Sequence, residues 1–382
     1  MKRKLMLVIP SISSCRAFFM ELLEALVRHG WEVHLVTSLD RLGDSPVELP
    51  EQVTLHSYAI PRGATPLALL KSLLWLCRLV ARVRPSVIHG HFVVGALLAS
   101  ITGAVCYVRT IVTFHGLHRG LTGRRWVAVR LERLCCLLAD VVEVLTEEDA
   151  DLLRHSIFYK KKVSALGVPG VGCRLDDFDR AKQDSSLVSS RKRELGLPEA
   201  APVFLFVGRL VEFKGYATAI RAFKEFYEQR GNGCLIVLGA SDPLHPDGLN
   251  ETEREWAHHC SAVSHVGWQE DVASWLSMGI ALLFPSTREG IPVCVMEAMA
   301  LGVPPIVVDT RGCRDLVCHK QTGLVLERSD PELFIAAMCQ LVDHPAESDE
   351  MARRARAHAA AHFSRVHYVN SQLERYVNSL AS

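Results

Sequence analysis

Four familiar signatures are missing from this chain. There is no GxxxxGK[ST] phosphate loop, no GxSxG turn and no CxxC pair, and the first loop, Pro10–Phe18 (PSISSCRAF), has no GxGxxG. These absences argue against a P-loop nucleotidase, a serine hydrolase of the elbow type, a redox or zinc framework, and a nicotinamide oxidoreductase. Twelve cysteines occur without framework spacing, which predicts free thiols in a reducing cytoplasm. Met1–Lys4 is basic, but the apolar stretch behind it is short and soon meets Ser13, Ser14, Cys15 and Arg16, so no cleavable signal is expected. The apolar run Pro66–Leu76 is broken by Lys71 and is too short to span a bilayer. Excess charge is missing overall but not locally. Residues 1–170 hold 21 Lys/Arg against 14 Asp/Glu, and the remainder 22 against 28. The first half therefore suits a membrane face or an anionic acceptor, and no motif for nucleic acid accompanies it.

What is present is a repeated strand–helix pattern. KLMLVIP reads as a buried strand, Ser11–Arg16 as a polar loop, Ala17–His29 as a helix closed by Gly30, and VHLVTS as a second strand. The alternation runs on through VTLHSY, a helix Leu67–Val83, SVIHGHF, TIVTFHG, a helix Trp126–Ala139 and VVEVLT. After a polar stretch, Arg174–Glu194, it restarts with PVFLFVGRL, a helix Tyr216–Gln229, CLIVLGA, HVGW, ALLFPS, a helix from Pro292, and PIVVDT. Two Rossmann-like doubly wound parallel-sheet domains facing a central cleft follow from this, an α/β class. Their expected bounds are 1–172 and 173–364. The region Arg353–Leu380 reads as largely helical, and 365–382 is expected to return to the first domain.

The most telling stretch is Pro285–Val307. Glu297 lies among Val295, Met296, Ala298 and Met299, where a carboxylate needs hydrogen-bond donors or a shifted pKa. Sugar hydroxyls would supply donors. Before it, Glu289 is followed by Gly290, Ile291, Pro292 and Val293, a loop entering a helix whose open N–H groups favour a phosphate or polar sugar. A second loop, FVGRLVEFKG, sets Gly208, Arg209, Lys214 and Gly215 where a strand hands over to a helix, the position at which such domains hold diphosphates. In the first half, TFHG places His115 and Gly116 at a strand end. His89 and His91 alternate on another strand without a third ligand, so they read as cleft-lining or structural and no metal is expected. Arg119, Arg124 and Arg125 follow His115 closely with Trp126. The helix Leu67–Arg84 combines Leu73, Leu74, Trp75, Leu76 and Leu79 with Arg78, Arg82 and Arg84. An anionic membrane surface or an ordinary helix packing on the sheet would each suit that mixture.

Together, the FVGRLVEFKG loop, PSTREGIPVCVMEAMALGVPPIVVDTRGCRDLV, TFHG and ADVVEVLTEED closely resemble the family-4 retaining glycosyltransferases of GT-B fold. The resemblance covers essentially the whole chain, and its ending looks most like members that extend lipid-linked or capsular glycans in bacteria. It implies transfer of a sugar from a nucleotide-diphosphate donor to a saccharide acceptor carried on polyprenyl diphosphate, without a metal or other cofactor. The enzyme would be a cytoplasmic protein peripheral to the membrane. It also implies roles for single residues. Arg209 and Lys214 would bind the diphosphate, and Glu297 the ribose hydroxyls. Glu289 with the N–H groups of Gly290–Val293 would hold the sugar. His115 would reach it from the other domain, and Gly267 would lie near the nucleobase. Two departures from the family pattern stand out. Ser13-Ser14-Cys15 replaces the usual Gly-Gly pair, and the acidic residue expected near Asp176 and Asp177 is shifted. An epimerase on the same two-domain plan, or a silent nucleotide-sugar-binding relative, are the rival readings.

Overall fold

The computed structural model describes residues 3–39, 48–58, 60, 66–118, 125–155, 162–198, 200–243 and 245–381. Arg119 and Arg124 lie outside these, as does the side chain of Arg125. The chain forms two compact units, Met1–Val171 with Val366–Ser382, and Gly172–Arg365.

The first unit is built on seven strands: β1 Lys4–Ser11, β2 Glu32–Ser38, β3 Val53–Ser57, β4 Val87–His91, β5 Arg109–Phe114, β6 Val141–Val144 and β7 Val163–Ala165. All pairings are parallel, in the order 3-2-1-4-5-6-7. Leu5–Ile9 are wholly buried, as a strand covered by helices on both faces must be. The second unit has β8 Val203–Val207, β9 Cys234–Leu238, β10 Val263–Gly267, β11 Ala281–Phe284, β12 Pro305–Val308 and β13 Leu324–Leu326, all parallel in the order 10-9-8-11-12-13. In each sheet the strand order reverses once, between β1 and β4 and between β8 and β11. Ligands of such sheets bind outside the carboxyl ends at that reversal.

Two local expectations are corrected. Ser11–Arg16 is not a loop: a helix runs Ile12–Phe18, started by the Ser11 side chain, which accepts from the Ser14 N–H at 3.2 Å. The expected helix Ala17–His29 is therefore split, its second part being Met20–Arg28. The C-terminal region is likewise two helices, Pro345–His362 and Arg365–Ala381. Between them the chain pairs with Cys173 (Cys173 N–H to Phe363 O, 2.6 Å; Arg365 N–H to Cys173 O, 3.0 Å), so it enters and leaves the second unit at adjacent points. Among the described residues no helix is long and apolar enough to cross a membrane.

Candidate functional site

In the second unit the two segments leaving β8 and β11 are fastened to each other. After β8 the chain makes a short 3-10 turn, Glu212–Lys214, then Gly215 at φ +78° opens the helix Tyr216–Arg230. A Cβ on Gly215 would lie 2.5 Å from the Pro285 carbonyl oxygen, so both backbone angle and space demand glycine. The Phe213 carbonyl accepts from the Thr287 N–H at 3.0 Å and the Ser286 hydroxyl at 3.2 Å. This closeness sets Lys214 Nζ 2.6 Å from Glu289 Oε1. The Arg209 and Arg288 guanidinium groups each lie by the Phe213 ring, at 5.3 and 5.4 Å. Arg209 also donates to Asp242 Oδ2 at 2.6 Å, a partner from the β9 side that sequence reading did not single out. Three cations thus gather at the sheet reversal, with Glu289 beside them, its side chain only 7% exposed.

The next turn is equally tight. A Cβ on Gly312 (φ +83°) would sit 1.8 Å from the Gly290 carbonyl oxygen, and Arg311 donates to the Glu289 carbonyl at 3.4 Å. The helix Val293–Ala300 begins at Pro292, whose side chain cannot cap it; the Val295 N–H donates to the Pro292 carbonyl at 3.2 Å, and the Val293 and Cys294 N–H groups have no side-chain cap. Glu297 lies one turn further along, half-buried. Burial raises its carboxyl to about 7, although Arg174 and Arg365 pull it back. No hydrogen bond to that carboxylate is made among the described residues. Burial, and then the charges of Glu289 and Glu297, push the Cys294 thiol well up. Gly208 follows β8 directly, while Gly267 ends β10 at φ +72° on the edge strand, its carbonyl accepting from the Gly239 N–H at 2.8 Å.

In the first unit His115 follows β5, with Gly116 next at φ +129°. Its ring is stacked on Phe92 (centroids 4.1 Å apart) and edge-on to Phe19. Its Nε2 lies 3.3 Å from His91 Nδ1. Burial pushes the His115 imidazole down to about 3, so the ring is neutral at physiological pH. Phe92 holds φ +59°, a left-handed backbone that a bulky residue keeps only where its surroundings enforce it. His89 and His91 are both fully buried, and neither is the open cleft-lining residue that sequence alone allowed. His89 belongs to a hydrogen-bonded chain with Tyr376, Thr113 and Glu143 that the sequence pattern could not reveal, because its members come from four separate segments.

Two family models match the chain: "Glycosyl transferase 4-like domain" over residues 15–168 and "Glycosyl transferases group 1" over residues 189–358. Among curated proteins, the D-inositol 3-phosphate glycosyltransferase of Corynebacterium efficiens is 32% identical over 230 residues, covering 58% of this chain and 52% of that protein. The match thus spans about half the length of that relative. The UDP-Gal:alpha-D-GlcNAc-diphosphoundecaprenol alpha-1,3-galactosyltransferase of Escherichia coli is 23% identical over 355 residues, covering 88% of this chain and 86% of that one. Among solved structures, a sucrose-phosphate synthase from Thermosynechococcus elongatus superposes with a TM-score of 0.80 at 20% identity, covering 99% of each chain. With one family model on each unit, the chain belongs to the family-4, group 1 glycosyltransferases and has their GT-B fold.

Proposed function

We propose that the protein transfers a sugar from a nucleotide-diphosphate donor to a saccharide carried on polyprenyl diphosphate, retaining the anomeric configuration and needing no metal. The observation that carries this reading is the cluster at the β8/β11 reversal: Arg209 and Arg288 by Phe213, and Lys214 by Phe284 with the nearly buried Glu289 against it. Fixed cations of this kind take up charge as it develops on a leaving diphosphate, where one such donor is worth about 10²–10³ in rate. Arg209 grips phosphate oxygens with its fork and Lys214 supplies a point charge. Glu289 accepts from the hydroxyls of the transferred sugar, assisted by the N–H groups of Gly290, Ile291 and Val293. Glu297, to which no hydrogen bond is made among the described residues, accepts from the ribose hydroxyls. Gly208 and Gly267 leave room for the phosphates and the base. His115 is assigned a hydrogen bond to the transferred sugar, with Gly116 allowing close approach. The acceptor hydroxyl attacks from the leaving-group side, and the departing phosphate takes its proton, so no protein base is required. The relative that acts on a diphosphoundecaprenol-linked sugar supports the choice of acceptor.

A peripheral place on the cytoplasmic membrane face is part of the proposal. The helix Pro66–Val83 exposes Leu67, Leu70 and Leu74 with Lys71, Arg78 and Arg82, and contains no acidic residue. The helix Arg125–Leu138 exposes Trp126, Val127, Leu134 and Leu137 with Arg130 and Arg133. Its one acid, Glu132, is buried and accepts from the His118 ring at 2.8 Å. Apolar side chains among cations with no ion pair among the described residues match an anionic lipid surface.

The test is a donor panel of UDP- and GDP-sugars with a lipid-linked saccharide acceptor, read as nucleotide release and product mass. Acceptor-independent conversion of the donor to an epimer, or no release with any donor, would overturn the proposal.

A further inference from the structure

A buried chain of hydrogen bonds under His115 has one direction only. The Thr113 hydroxyl lies 2.6 Å from Glu143 Oε2 and 2.7 Å from His89 Nε2. A carboxylate only accepts, so Thr113 donates to Glu143 and must accept from His89 Nε2–H. A neutral His89 then has a bare Nδ1, which accepts from the Tyr376 hydroxyl at 2.7 Å. Glu143 itself is held by Gln372 at 3.0 Å and by Arg375 at 2.5 Å. Both ring nitrogens of His89 are therefore fixed, and three residues of the helix Arg365–Ala381 hold the chain at its two ends.

His91 lies against this fixed ring, centroids 4.0 Å apart, and against Phe19 at 4.4 Å. It has little freedom to turn. Its Nδ1 meets His115 Nε2 at 3.3 Å, while its Nε2 is buried and has no hydrogen-bond partner. Two neutral imidazoles share one proton across such a contact, and the choice is decided at the far nitrogen of His91. If His115 donated, His91 would carry its proton on Nε2, leaving a buried N–H without an acceptor. If His91 donates, the buried Nε2 is merely a lone pair. Orphaned buried N–H groups are the rarer and costlier case.

We infer that His91 is a positioning residue for His115: its Nδ1–H donates to His115 Nε2 and so leaves His115 with its own proton on Nδ1, as a hydrogen-bond donor to substrate. The stack with Phe92, whose backbone is held at φ +59°, keeps the His115 ring in the plane this bond requires. The inference rests on the reading that His115 serves the transferred sugar. It adds that the sugar meets His115 as a donor, and therefore through an oxygen lone pair.

The experiment is ¹⁵N-histidine NMR of the full chain without substrate, with the His115 signals assigned from His115→Ala, alongside steady-state kinetics. In the wild type, His115 should show a pyrrole-type Nδ1 and a pyridine-type Nε2. His91→Asn places an amide N–H where Nδ1 stood and should keep both that pattern and kcat within about threefold. His91→Phe keeps the ring but not the donor. It should blur the pattern and lower kcat at least tenfold, with KM for the donor sugar within about twofold. A wild-type His115 with its proton on Nε2 would overturn the inference without any variant being made. So would a His91→Phe protein with unchanged tautomer and kcat. Transfer at the wild-type rate by His115→Ala would instead remove the sugar contact from the functional reading, an outcome separate from the substrate-free tautomer result.

Discussion

Lys214 Nζ and Glu289 Oε1 lie 2.6 Å apart although 75 residues separate them in the chain. The pair joins the segment leaving β8 to the one leaving β11. It also means that the cation assigned to phosphate and the carboxylate assigned to sugar hold each other in place before either ligand arrives. Lys214→Met leaves a nearly buried carboxylate without its cation. We expect kcat to fall about 10²–10³-fold and the affinity for nucleoside diphosphate, measured by calorimetry, to fall as well. Lys214→Arg should recover only part of this, because a planar fork does not replace a point charge in so close a contact.

Glu297 makes the free protein sensitive to pH. Its carboxyl titrates at about 7 in the folded chain, against 4.5 as the reference value, chiefly because burial disfavours the charged form. The folded state therefore holds the extra proton between these values, and stability falls as pH rises through that window. Glu297→Gln removes the effect. Without ligand, the variant should be the more stable protein at pH 8, by roughly 1–3 kcal/mol, and the gap should close towards pH 4. Scanning calorimetry at both pH values checks the sign.

Nucleotide binding should run the opposite way. If the ionised Glu297 accepts from ribose hydroxyls, wild-type affinity rises between pH 6 and pH 8. The Gln variant then binds about tenfold more weakly at pH 8, the worth of a charge-assisted hydrogen bond. Equal affinities at both pH values would remove Glu297 from the ribose.

Gly312 and Gly267 separate space from backbone strain. Both have positive φ, but a Cβ at Gly312 meets the Gly290 oxygen at 1.8 Å, whereas one at Gly267 meets nothing within 4 Å. Gly267→Ala should cost about 1–2 kcal/mol from strain alone. Gly312→Ala must also displace Gly290 and with it Glu289. It should lower Tm further, by several degrees, and reduce kcat, whereas the effect of Gly267→Ala on activity should fall on KM for the donor.

The basic, leucine-rich face of the first unit gives a salt-dependent prediction. The wild type should sediment with vesicles containing phosphatidylglycerol and not with pure phosphatidylcholine, and binding should weaken as ionic strength rises. Replacing Arg130 and Arg133 by Gln should weaken vesicle binding about thirtyfold, at about 1 kcal/mol for each cation near an anionic surface. Leu70→Glu should weaken it too, with the melting curve unchanged because Leu70 is already exposed.

Much of the molecule is legible in local pattern. Runs such as CLIVL and ALLF can only be strands buried on both faces, and their alternation with helices leads to two parallel sheets. Glu297 is conspicuous because its neighbours are apolar, and Gly208 and Gly215 because they flank cations after a strand. The misread loop at Ser11–Arg16 shows where pattern reading fails: a single side-chain hydrogen bond from Ser11 starts a helix over residues that look like a polar turn. Asp242 carried no signal, and Arg311 and Gly312 only as letters of a longer motif, since what marks each of them is the loop it touches.

The sequence by itself determined the fold class and the family, because periodicity and a few closely spaced motifs act over short distances along the chain. Tertiary structure alone decided which charges meet. It paired Lys214 with Glu289 and Arg209 with Asp242, and it buried the Glu297 carboxyl with no hydrogen bond to it among the described residues. It also brought Tyr376 to His89 across 287 residues, so that a helix near the end of the chain holds up the floor beneath His115. Contacts of this kind depend on how sheets and helices pack. The energy that orients a buried proton comes from neighbours that lie close in space and far apart in sequence.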